Sequence, residues 1–156
     1  MIRVTRLQVN GSQRDVATHP SAALLWALRD ELGCASVKYG CGTEQCGACR
    51  ILLDGAPAYS CTLTIGDAEG FEITTLEGLV ADGRASRIVD AMASIDAGQC
   101  GYCLPGMVTV LTALGSRAGP LSRADVVRAL DPHLCRCGSH GRILDAACEA
   151  LDASDG

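Results

Sequence analysis

Aromatic residues are nearly missing from this 156-residue chain: one Trp, one Phe and three Tyr make up 3% of it. Its interior must therefore be built from Ala, Leu, Val and Ile, or be held together by something besides side-chain packing. Charge is sparse as well, at 20% of residues, and 13 Lys and Arg against 18 Asp and Glu leave a net charge of −5. No basic block could track a phosphate backbone, which argues against nucleic acid as a partner. No apolar run reaches the roughly 18 residues that a transmembrane helix requires. Met1 to Asn10 alternates charged and polar residues with Ile and Val, where a signal peptide would have an apolar stretch and a small-residue cleavage site. The expected location is thus cytoplasmic, unless a partner carries the chain elsewhere. A reducing compartment disfavours structural disulfides.

What is abundant is cysteine, ten residues of it, together with 18 glycines. Ten thiols in a reducing environment point to metal. The 48% apolar fraction excludes intrinsic disorder.

The periodicity divides the chain in two. Ile2, Val4, Leu7 and Val9 mark a strand that ends at the turn dipeptide Asn10-Gly11, and Gln13 to Thr18 returns from it. Ser21 is placed to cap a helix whose stripe is Leu24, Leu25, Leu28 and Leu32, with Gly33 beyond its end. Trp26 on that helix reads as a core or interface anchor. Arg50 to Leu53 and Ala58 to Thr64, around Asp54-Gly55, predict a second hairpin, and Phe71 to Thr74 a further short strand. After that the pattern is helical: Ser86 to Ala97, Pro105 to Leu114, Ser122 to Leu130 and Gly141 to Leu151. Ser122 and Asp125 have the spacing of a capping box. The boundary falls between residues 76 and 84, giving a first domain over 1–78 and a second over 79–156 in an α+β chain.

Eight cysteines form two groups. Cys41, Cys46, Cys49 and Cys61 follow C-x4-C-x2-C and a fourth cysteine, the spacing of plant-type [2Fe-2S] ligation. The loop between them is rich in glycine, which lets backbone amides turn toward sulfur. Cys100, Cys103, Cys135 and Cys137 form a C-x2-C and a distant C-x-C, each just ahead of a predicted helix. Helix N-termini favour negative charge by about 0.3–1 kcal/mol, so two of them can serve one anionic cluster. Zinc is the main rival for four thiolates, although neither group has the paired C-x2-C knuckles usual for it. Thioredoxin-like chemistry at Cys46-Gly-Ala-Cys49 or Cys100-Gly-Tyr-Cys103 lacks the βαβ setting it needs. A Rieske centre would require two histidine ligands, and His19, His133 and His140 replace no cysteine; they read as ordinary surface or bundle residues. Cys34 and Cys148 remain as small buried hydrophobes.

With both groups in order, the sequence resembles the small iron–sulfur subunit, or N-terminal iron–sulfur region, of the molybdenum hydroxylases. That family includes xanthine dehydrogenase, aldehyde oxidoreductases, molybdenum-type carbon monoxide dehydrogenase and bacterial hydroxylases of N-heterocycles such as nicotinate and isoquinoline. The likeness runs from Leu24-Leu25-Trp26-Ala27-Leu28-Arg29-Asp30 through the Cys41 loop and Gln99-Cys100-Gly101-Tyr102-Cys103-Leu104-Pro105-Gly106-Met107 to His133-Leu134-Cys135-Arg136-Cys137-Gly138. It implies a β-grasp, ferredoxin-like domain followed by a four-helix domain, each with one [2Fe-2S] cluster. It further implies a large partner subunit holding molybdopterin in its cytosine dinucleotide form. Gln99 and Cys137 would approach that pterin, and electrons would leave through the Cys41, Cys46, Cys49 and Cys61 centre to an FAD-binding subunit or cytochrome c. The substrate would be an N-heterocycle or an aldehyde. Gly138-Ser139-His140-Gly141 departs from the Thr-Gly-Tyr common after the C-x-C, and Tyr102 and Leu104 stand where Phe and Thr are common. None of these positions is a ligand, so the departures bear on partner and acceptor. Two other readings stay open beside this one, a diffusible ferredoxin-like carrier and a zinc-stabilised adaptor.

Overall fold

The computed structural model describes residues 1–154. β1 (Arg3–Val9) and β2 (Ser12–Thr18) form the expected hairpin, with Asn10 and Gly11 both at positive φ. β3 (Arg50–Leu53) and β4 (Ala56–Tyr59) form the second hairpin, and β5 (Glu72–Thr74) lies parallel to β1 and antiparallel to β3. The result is one mixed sheet in the order β2-β1-β5-β3-β4. Thr5, Leu7 and Val9 alternate inward on β1, where Leu7 and Val9 meet Leu24, Leu28 and Ile51 in an aliphatic core without an aromatic ring at its centre.

Three local expectations change. The helix after β2 is not capped by Ser21; Ala22 and Ala23 pair with the chain near Thr64, through Leu24 N–H to Leu63 O and Ile65 N–H to Ala22 O. The helix consequently starts late, as α1 (Leu24–Trp26), and widens into a π turn over Ala27–Glu31, closed by Leu32 N–H to Ala27 O. The Ser21 hydroxyl turns instead to His19 Nδ1 at 2.7 Å. Trp26 is 46% exposed and so does not anchor the core; it stacks on Tyr39, with ring centroids 5.2 Å apart. β4 stops at Tyr59 because Ser60 turns out of the sheet, its N–H and Oγ both donating to Cys49 O. That exit brings Cys61 beside Cys49.

The second half contains α2 (Leu76–Ala81), α3 (Ser86–Ser94), α4 (Leu104–Gly115), α5 (Arg123–Leu130) and α6 (His140–Ala150). Six-residue α2 is too short for its periodicity to be visible in the sequence. It is tied to the first half through Glu77, whose carboxylate accepts from Ser36 N–H and Ser36 Oγ. Burial raises the Glu77 pKa, but the hydrogen bonds from Ser36 and Thr75 outweigh it and the net shift is downward. Helices α3, α4, α5 and α6 close into a four-helix ring, each packed on two of the others. Its core of Met107, Leu111, Val126, Leu130 and Ile143 also takes in Leu52 from β3, so α4 lies directly against the sheet. Cys34 and Cys148 are buried, as expected of packing residues.

The capping box forms at α5: Asp125 N–H donates to Ser122 Oγ at 3.3 Å, and Ser122 N–H to Asp125 Oδ2 at 2.9 Å. Ser122→Ala should therefore cost about 1 kcal/mol in chemical denaturation. Hydrogen bonds from Ser122, with help from Arg128, bring the Asp125 carboxyl down to about 2. A folded pKa below the unfolded one contributes stability above the unfolded value and loses it as pH falls through the folded one. The stability difference between wild type and Asp125→Asn should accordingly shrink as pH drops from about 4 toward about 2.

Candidate metal centres

The first cysteine group sits on the loop between the π turn and β3, with Cys61 supplied from beyond β4. The loop brings the thiols of Cys41 and Cys46 within hydrogen-bond reach of each other, and likewise those of Cys49 and Cys61. Amides turn toward the sulfurs: Gln45 N–H reaches Cys41 Sγ at 3.1 Å, Thr43 N–H reaches the same atom at 3.4 Å, and Cys41 N–H reaches Cys46 Sγ at 3.4 Å. Burial raises the Cys41 pKa, but hydrogen bonds from Thr43, from the Gln45 amide and from the Cys46 thiol overcome it and bring the thiol to about 6. Cys49 lies deeper, at 2% exposure, and burial together with Cys61 pushes it up to about 12. The loop has no room for a side chain at Gly40, where a Cβ would stand 2.6 Å from Cys46 Sγ.

The second group repeats the arrangement with helix ends. Cys103 stands at the N-cap of α4, with Pro105 in the first turn, and its thiol pairs with that of Cys135. Cys100 pairs with Cys137. Burial raises Cys135, yet amides of Ser139 and Cys137 at the start of α6 more than offset it and its pKa falls. Cys103 is pushed up to about 12 by burial and by its partner Cys135. Gln99 comes to the same rim, donating from Nε2 to Cys137 O at 3.0 Å. Arg136 is exposed and lines a small cavity together with Cys100, Cys103 and Cys135.

All eight cysteines of the two groups are thus brought together as four pairs, two pairs per site. A structural zinc needs four donors around one point, each about 2.3 Å from it. A [2Fe-2S] cluster needs four thiolates shared between two irons, which four cysteines in two pairs can supply. Amides aimed at sulfur also suit its negative charge. Four thiolates in two pairs, with amides turned onto them, fit the binuclear cluster.

The two sites touch. Leu134 N–H donates to Cys46 O at 3.0 Å, and a cavity of about 160 Å³ is lined by Cys46 and Ala48 from one side and by Cys100, Cys103 and Cys135 from the other. The Tyr102 hydroxyl donates to Tyr39 O across the same seam. His133 is not the ordinary surface or bundle residue expected from sequence. It is 2% exposed between the sites, and neither ring nitrogen has a hydrogen-bond partner. Burial, with Arg50 and His140 nearby, lowers its pKa to about 4, leaving the ring neutral. Little in the sequence marks this contact. The one available hint was Gly106, a glycine just inside a helix, where Ala would be more stable by about 1 kcal/mol unless something approaches closely.

Comparison with known proteins agrees with this geometry. The family described as "2Fe-2S iron-sulfur cluster binding domain" matches residues 7–74, and "[2Fe-2S] binding domain" matches residues 75–148. The chain is 40% identical to one of the subunits of nicotinate dehydrogenase from Pseudomonas putida, over 94% of this chain and 93% of the relative. It is 38% identical to the xanthine dehydrogenase iron-sulfur-binding subunit of Escherichia coli O157:H7, over 88% and 87%. Among solved structures, quinoline 2-oxidoreductase from Pseudomonas putida 86 superposes with a TM-score of 0.86 at 32% identity, covering 96% of this chain and 93% of that one.

Gly40→Ala supplies a direct check on the first site. The added methyl meets Cys46 Sγ, so this variant should hold about half the iron and acid-labile sulfide of wild type, by chemical assay of the purified protein. Full content in the variant would mean that the loop has slack the structure does not show.

Proposed function

This chain belongs to the small [2Fe-2S] subunits of the molybdenum hydroxylase family, and from that membership we propose how its residues divide the work. Cys41, Cys46, Cys49 and Cys61 hold one cluster, within a first domain over residues 1–78. Cys100, Cys103, Cys135 and Cys137 hold the other, within a second domain over residues 79–156. When bound, each cluster carries one electron at a time, which suits a relay between a two-electron oxidation on a partner and a separate acceptor.

The observation that carries this reading is the direct link between the two cysteine sets. Leu134 immediately precedes Cys135, and its N–H donates to the carbonyl of Cys46. A few covalent bonds and one hydrogen bond therefore join a thiolate of each set. Around that link, Ala48, Cys49 and Met107 are buried, while Cys100 and Gln99 are exposed. Exposure at Gln99, tied by its amide to Cys137 O, makes this rim the side that faces the molybdopterin of the large subunit, in its cytosine dinucleotide form. The opposite outlet is the exposed stretch Thr43–Gln45 beside Cys41, which faces an FAD-binding subunit or cytochrome c.

The substrate is an N-heterocycle or an aldehyde, bound by the partner. No helix among the described residues is long and apolar enough to cross a membrane. The assigned location is the cytoplasm, or wherever the partner is carried.

Two measurements test the assignment together. The native protein should copurify with a molybdenum-containing chain, and isolation only as a lone carrier that reduces a generic reductase would count for the diffusible-ferredoxin alternative. In the complex, Cys137→Ser should lose about half of the iron and sulfide and nearly all substrate-to-acceptor turnover. Full turnover in that variant would remove Cys137 from its role.

A further inference from the structure

Three residues meet where the two cysteine sets approach each other. Gly47 lies buried between Cys46 and Cys49 at φ +72°, and a Cβ there would stand 2.3 Å from His133 Nδ1. Gly106 lies in the first turn of α4, three residues after Cys103, and a Cβ there would stand 2.3 Å from Gly47 O and 3.5 Å from Ala48 Cα. His133 lies two residues before Cys135. It is held from both ends: its N–H donates to Leu130 O at 2.9 Å, and its carbonyl faces His140 Nε2 at 2.8 Å. The ends of α4, α5 and α6 are thereby gathered onto one peptide of the first loop.

We propose that Gly47, Gly106 and His133 are the spacer that sets the separation of the two iron–sulfur centres. The two glycines remove the side chains that would hold the α4 start and the loop apart. The His133 ring fills the third side, so the loop cannot slide toward α5. It fills that space at a cost, since both ring nitrogens are buried without partners. These are positioning residues and touch no acceptor or substrate. A methyl at Gly106 would meet backbone, which cannot rotate aside, and restoring ordinary contact from 2.3 Å would part the two segments by about 1 Å.

The inference rests on the reading that both cysteine sets hold clusters, and the test separates the two. The holoprotein complex is reduced with dithionite and its low-temperature EPR spectrum recorded, alongside iron and sulfide content. Two reduced clusters close together split each other's signals, with a magnitude that falls as the inverse cube of their separation. Wild type should show this splitting, and Gly106→Ala should narrow it at unchanged iron and sulfide content. Gly115→Ala, on the same helix, meets only the end of the Leu151 side chain, which can rotate aside, and should leave the splitting as in wild type. Should Gly106→Ala fail to assemble, His133→Ala serves instead: it releases the loop and should smear the splitting into a distribution. An unchanged splitting in fully loaded Gly106→Ala or His133→Ala, or an unsplit wild-type spectrum, overturns the spacer. Wild-type protein without iron and sulfide overturns the cluster assignment beneath it.

Discussion

The carbonyl of Gly47 sits against the first turn of α4, and the rest of the molecule is arranged so that this contact can exist. A ferredoxin-like sheet and a four-helix ring have separate aliphatic cores. Bringing them this close requires backbone to meet backbone, because intervening side chains would add several ångströms at the seam. Glycines at 47 and 106 permit the approach, and Leu52 from β3, packed into the helical core, keeps α4 flat on the sheet.

The near absence of aromatic residues follows from the same economy. Three of the five rings, Trp26, Tyr39 and Tyr102, lie at the surface along the seam, where Trp26 stacks on Tyr39 and Tyr102 donates to the Tyr39 carbonyl. The interior is filled by Leu, Ile, Val and Ala, which pack well around short strands and small helices. Metal centres organise the loops that a larger apolar core would otherwise have to hold.

Electrostatics at the two sites share one logic despite their different architectures. In the first, an irregular loop turns the amides of Thr43 and Gln45 onto Cys41; in the second, the start of α6 turns amides onto Cys135. Each gives hydrogen bonds to sulfur that strengthen as negative charge accumulates there. Each set also contains a thiol, buried Cys49 or partly buried Cys103, that burial and its paired cysteine make reluctant to ionise without a cation beside it. Such a thiol stays neutral until a metal supplies the opposing charge.

Spacing alone made both cysteine groups, the two hairpin turns, the four long helices and the Ser122–Asp125 cap legible, because these depend on residues near one another in the chain. Ser21 as a cap, and the core half of the reading of Trp26 as a core or interface anchor, were misleading for the complementary reason. Backbone bonds from residues 22–24 to residues 63–65 delay the helix, and the π turn that follows leaves Trp26 at the surface. Short α2 had no period to display. The sequence by itself determined which side chains could bind metal and in what groups, since ligand type and local spacing are written along the chain. Only the tertiary structure decided which cysteine pairs with which, how His133 comes to lie unpartnered at the seam, and how close the two sites stand. The contacts between the two sites join residues some 60 to 90 positions apart, as between Gly47 and Gly106 or Cys46 and Leu134, and no local pattern specifies them.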